Sequence, residues 1–238
     1  MEQVGYMKNI IMQLLADFLV TVDEYKIEEM PVCKICFVEN IFEAVTQIDK
    51  EYAEEVLSLN SKDKLYGLFH STQANDTTVF LLIGENVNYH EHIPHEITHL
   101  YDFDNMRKLT GKQYRELQND IPFVMWSEFH ANYLVCKYLL VKGLIHDPDE
   151  LYNKIIANMQ KYFGAPVIDR QKAADYVSRQ YGQYVALCEM YPNNYSKHPY
   201  GFYLNQSFLG LYDFLWDNRS FKSIVENLCE LTDVYMNL

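Results

Sequence analysis

Apolar residues recur at helical spacing through most of this chain and form short continuous runs in three places. Ile41, Val45, Ile48, Tyr52, Val56 and Leu59 share one face and predict a helix over 41–59. The stretch from Ile10 to Val22 predicts a core-packing helix; it is too short to span a bilayer and contains Asp17. Strands are predicted near 32–38, from Leu65 to His70 and from Thr77 to Ile83. The last is apolar and β-branched and ends at the turn signal Gly84-Glu85-Asn86. From about residue 91 the pattern is helical, over 91–108, 123–143, 148–162, 170–190, 205–216 and 219–236. Gly143 and Pro148 punctuate this run, and Pro166 and Pro192 fall in loops. The fold class expected is α+β, with a small N-terminal β-sheet leading into a mainly helical body.

The richest chemistry lies on the first helix after the sheet. Residues 95–99 read His-Glu-Ile-Thr-His. Positions i and i+4 stand one turn apart on the same helix face, so His95 and His99 can both point at one ion. Glu96 lies about 100° round the helix from His95. It can reach a water on that ion without ligating the ion itself. Zinc acidifies such a water, and a neighbouring carboxylate takes its proton. Random order would produce this pattern roughly once in fifty chains of this composition, so the context must carry part of the assignment. The context agrees: a strand precedes the pattern, and Ile93, Ile97, Leu100 and Phe103 make its helix apolar beyond what a surface helix needs.

A catalytic zinc needs a third protein ligand. Asp102 shares the face of His95 and His99, but a ligand set drawn from one helix is strained. Its natural role is to hold a histidine through the other ring nitrogen. Asp104 falls near the opposite face and reads as solvated or capping. Glu128, Ala131, Asn132, Val135 and Leu139 form one inward stripe of the following helix. A carboxylate on such a stripe is costly unless paired or metal-bound. Glu128 is therefore the favoured third ligand, with Asp102 and His130 as alternatives. His130 points about 200° away from Glu128 and reads as a surface or half-buried residue. His90 and His92 read as solvated first-turn side chains. His70, His146 and His198, or a tyrosine of the stretch Tyr191–Tyr203, are candidates to stabilise an oxyanion.

These residues resemble the ImmA/IrrE-like zinc peptidases, in which a strand precedes HExxH and a later helix reads E-x-x-A-N before a Leu pair. The matching parts are Thr78–Ile83, His95-Glu96-Ile97-Thr98-His99, Glu128-Phe129-His130-Ala131-Asn132 and Leu139-Leu140. They cover about residues 65–143. The resemblance implies a zincin-like active-site helix, one Zn2+ per chain held by His95, His99 and Glu128, and Glu96 as general base. The organisation expected is a metallopeptidase domain over 1–143, with residues 144–238, which have no counterpart in the family pattern, as a helical extension packed as one unit with it. The resemblance also implies a protein or peptide substrate, with a transcriptional repressor as one such substrate. The chain departs from the pattern in having Val141-Lys142-Gly143 after the Leu pair, where a proline is common.

Composition narrows the other classes. A net charge of −13 argues against direct binding to nucleic acid. An N-terminus without a basic region, and five cysteines, an odd number, predict a cytoplasmic, non-membrane protein. Cys33 and Cys36 form a lone CxxC that reads as strand, with the two thiols on opposite faces and no common ligand. The 20 tyrosines suit half-buried positions and a lined groove. Two further readings remain: a non-catalytic binding protein on a peptidase scaffold, and a zinc hydrolase of a substrate other than a peptide. A groove with an exposed strand edge would favour an extended peptide, and Thr77–Ile83 is one candidate for that edge.

Overall fold

A computed structural model describes residues 2–55, 66–72, 76–82, 87–163, 170–197 and 206–238. The turn at 84–86, Pro166 and His198 lie outside these residues, as do parts of the 41–59 and 191–203 stretches. The fold is α+β and mainly helical, with one three-stranded sheet. Among the described residues, no helix is long and apolar enough to cross a membrane.

The chain forms two compact units. The first comprises residues 1–17 and 27–117, the second 18–26 and 118–238. Helix α1 (Glu2–Val22) contributes to both.

In the first unit the sheet comprises β1 (Lys34–Val38), β2 (Gly67–Ser71) and β3 (Thr77–Leu82). The strand order is β1-β3-β2, with β1 parallel and β2 antiparallel to β3. Thr77–Leu82 is thus the central strand, with β1 on one side and β2 on the other. This explains its continuous apolar run: a strand covered on both faces has no polar side to alternate with. Phe80 and Leu82, with Cys36, Val38 and Leu68, pack against Ile41 and Val45 of α2 (Ile41–Ile48) and Ala53 of α3 (Lys50–Glu55). The predicted 41–59 helix is therefore two helices broken at Asp49. The other face of the sheet carries α4 (Tyr89–Thr110), where the Phe69 and Phe103 rings meet at 5.4 Å. Helix α4 buries residues all round its circumference, from Ile93 to Met106. A helix buried on every side needs no polar stripe.

The unit ends in α5 (Tyr114–Gln118), barely more than one turn and too short to register as a helical period. Its anchor is Asp104, which is buried rather than solvated. Asp104 accepts from Tyr114 Oη at 2.8 Å and pairs with Arg107 at 3.0 Å and Lys108 at 2.6 Å. Burial alone would raise its pKa, but these three partners hold it below the ordinary carboxylate value.

The second unit is helical: α6 (Ile121–Val141), α7 (Pro148–Phe163), α8 (Arg170–Met190), α9 (Gln206–Asp217), α10 (Phe221–Glu226) and α11 (Leu228–Met236). The closest packing joins α6 and α8. Gly182 permits it: a Cβ there would collide with the Phe129 carbonyl oxygen and stand 2.9 Å from the Tyr133 nitrogen. Many of the tyrosines are structural. Tyr181, Tyr184 and Tyr212 are fully buried, and the first two donate to the Lys197 and Ser196 carbonyls at 3.2 and 2.7 Å, pinning that loop to α8.

Candidate metal centre

Helix α4 carries the two histidines as the i, i+4 spacing requires. Their Nε2 atoms stand 3.1 Å apart, with the rings nearly perpendicular. At this distance one neutral ring can donate to the other, and it is also close to the about 3.3 Å between two nitrogens bound tetrahedrally at 2.0–2.1 Å. His99 is buried and His95 half-buried. Glu96 is buried beside them and faces the sheet.

What Glu96 touches comes from strand pairing. Leu82 N donates to Tyr66 O, and Thr72 N to Asp76 O. Even-numbered residues of β2 are therefore in hydrogen-bonded pairs with β3, and the odd-numbered ones turn their N–H groups to the outer edge. Phe69 uses that outward N–H to donate to Glu96 Oε2 at 2.6 Å. Two residues earlier, Gly67 leaves room for the same carboxylate: a Cβ there would lie 2.8 Å from both Cγ and Oε1 of Glu96. Sequence reasoning missed both partners, because nothing near Glu96 in the chain signals them.

Glu128 lies on α6, where Ala131 is fully buried and Val135 nearly so. Its Oε1 pairs with Arg179 Nη2 of α8 at 3.1 Å. Asn132, one turn on, donates from Nδ2 to the Glu128 carbonyl at 2.8 Å and accepts from Gln183 Nε2 at 3.2 Å. His95 and His99 belong to the first unit and Glu128 to the second; together they are the donors expected for one metal ion. The donor set, two imidazoles and a carboxylate, suits zinc with a position left open.

The other candidates have the following surroundings. Asp102 is completely buried on α4. His130 is completely buried too, not at the surface. It stacks on Trp126 at 4.7 Å, with Glu24 at 4.0 Å, and belongs to the packing of the second unit. His90 and His146 are exposed, and His92 stacks on Tyr66 at 4.9 Å. His70 is sealed in β2, with Nε2 at 3.3 Å from Asp49 and its ring 4.5 Å from that of Tyr52. Tyr195 donates to Asp149 at 2.6 Å and lines a cleft of about 430 Å³ with Tyr152 and Tyr184, in which Glu128 takes no part. Cys33 and Cys36 are free thiols, and burial pushes the Cys33 pKa up to about 11, which disfavours the thiolate that metal or redox work needs.

No family model, no curated protein and no solved structure matches this chain. The functional reading therefore rests on the chemistry of the residues themselves.

Proposed function

We propose that this chain is a zinc-dependent metallopeptidase with His95, His99 and Glu128 as metal ligands and Glu96 as general base. The observation that carries the reading is the pair of imidazole nitrogens 3.1 Å apart on α4, with the buried Glu96 carboxylate beside them. When bound there, zinc supplies a Lewis acid and lowers the pKa of a water.

The remaining work falls to the chain's own groups. Phe69 N–H orients the Glu96 carboxylate through Oε2. Glu96 accepts a proton and returns it to the leaving nitrogen, the role a buried carboxylate next to both ligands can fill. The peptide class is the usual target of a zinc-bound water with a neighbouring carboxylate base. The likeness to ImmA/IrrE-like peptidases favours the same class, with a regulatory protein as substrate. All five cysteines are free, which supports a reducing compartment.

The test is hydrolysis of a denatured protein substrate by zinc-loaded wild type and Glu96→Gln. Cleavage by the wild type, reduced about 10²–10⁴-fold in a variant that still binds zinc, is expected. Undiminished cleavage by Glu96→Gln would overturn the assignment of the base.

A further inference from the structure

Helix α8 carries Asp175, Arg179 and Gln183 at i, i+4 and i+8, hence on one face. Two of them engage the Glu128 turn of α6. Arg179 Nη2 pairs with the Glu128 carboxylate at 3.1 Å. Gln183 reaches Asn132, whose own amide holds the Glu128 carbonyl. Asp175 in turn holds Arg179 at 3.3 Å. Gly182, on the same helix, lets the two backbones approach closely enough for these short reaches.

We propose that Arg179 is a positioning residue for the metal centre, holding the Glu128 carboxylate in its ligand orientation through Oε1, with Asp175 steering Arg179. This deepens the metal-site reading above and rests on it. A carboxylate has two oxygens. Arg179 takes one in an ion pair at 3.1 Å, and the orientation of the other is then set before any ion arrives. Loss of such an outer partner typically costs 10–100-fold in metal affinity. The guanidinium is also a positive charge near a cation site, and that opposes binding. The Asp175 carboxylate offsets this charge, and the Arg179 side chain is 42% exposed, so solvent screens it further. Orientation therefore outweighs repulsion.

The experiment is a zinc titration against a competing chelator, using the whole chain as wild type, Arg179→Gln, Arg179→Lys and Asp175→Asn, with Co2+ absorption spectra of each. Circular dichroism of the metal-free variants confirms that each is folded. The expected result is affinity weakened 10–100-fold in Arg179→Gln, less in Asp175→Asn, and partly restored in Arg179→Lys, with a Co2+ spectrum altered in Arg179→Gln. Affinity within threefold of wild type in a folded Arg179→Gln, or tighter binding, would overturn the role of Arg179 while leaving the metal site intact. A wild type that binds no zinc would overturn the metal-site reading itself, and this inference with it.

Discussion

The Glu96 carboxylate rests against Gly67, at a distance that leaves no room for a side chain: a Cβ on Gly67 would lie 2.8 Å from Glu96 Cγ and Oε1. The residues are 29 apart in sequence, and this contact, with the Phe69 N–H bond, ties the proposed base to β2. Gly67→Ala must push Glu96 aside. Displacing a catalytic group by about 1 Å can cost 10²-fold. The expected outcome is a drop in kcat of about 10–100-fold with zinc affinity unchanged, since His95, His99 and Glu128 are untouched. Peptide hydrolysis measured beside zinc titration checks it. Unchanged kcat would mean that Glu96 does not act from this position.

The approach of α6 and α8 predicts a stability effect. In Gly182→Ala the added methyl meets the Phe129 carbonyl and the Tyr133 nitrogen, both backbone, so no side-chain rotation relieves it. Overpacking of this kind costs about 1–3 kcal/mol. Urea denaturation should show a lower midpoint with an unchanged slope. A midpoint equal to that of the wild type would mean that the helices separate at little cost.

These two glycines mark where sequence reading stops. His95 and His99 are legible because a helix brings i and i+4 together wherever it lies, and Glu128 because an inward carboxylate on an apolar stripe needs a reason. The β-branched run at 77–82 is legible as a strand, but whether it is central or outermost depends on pairing 67–71 on one side and 34–38 on the other. The burial of Asp104 is hidden from the sequence for a related reason. Helical phase puts it away from the histidines, yet that side of α4 is covered by Tyr114, ten residues on, rather than by water. Arg179 carries no local mark; its meaning comes from a partner 51 positions earlier.

His70 predicts a pH dependence of stability. It is completely enclosed, facing Asp49, Arg115 and Tyr52. Burial lowers its pKa below 6.5; the Asp49 charge opposes this and the Arg115 charge adds to it. A histidine whose folded pKa is lowered is neutral in the folded chain while its unfolded counterpart takes up a proton. Its cost is thus absent above pH 6.5 and grows as pH falls from there to the folded pKa. The slope reaches at most about 1.4 kcal/mol per pH unit. Unfolding free energies at pH 7.5, 6.0 and 5.0 should fall with acid in the wild type and less steeply in His70→Leu. Equal slopes in the two would remove His70 as the source.

The most direct test of the central claim is the zinc content of purified wild type, after zinc addition and gel filtration, beside His95→Ala and Glu128→Ala. One zinc per chain in the wild type, lost in both variants, is the predicted result. No zinc in the wild type, or zinc retained in full by Glu128→Ala, would contradict a site made of His95, His99 and Glu128.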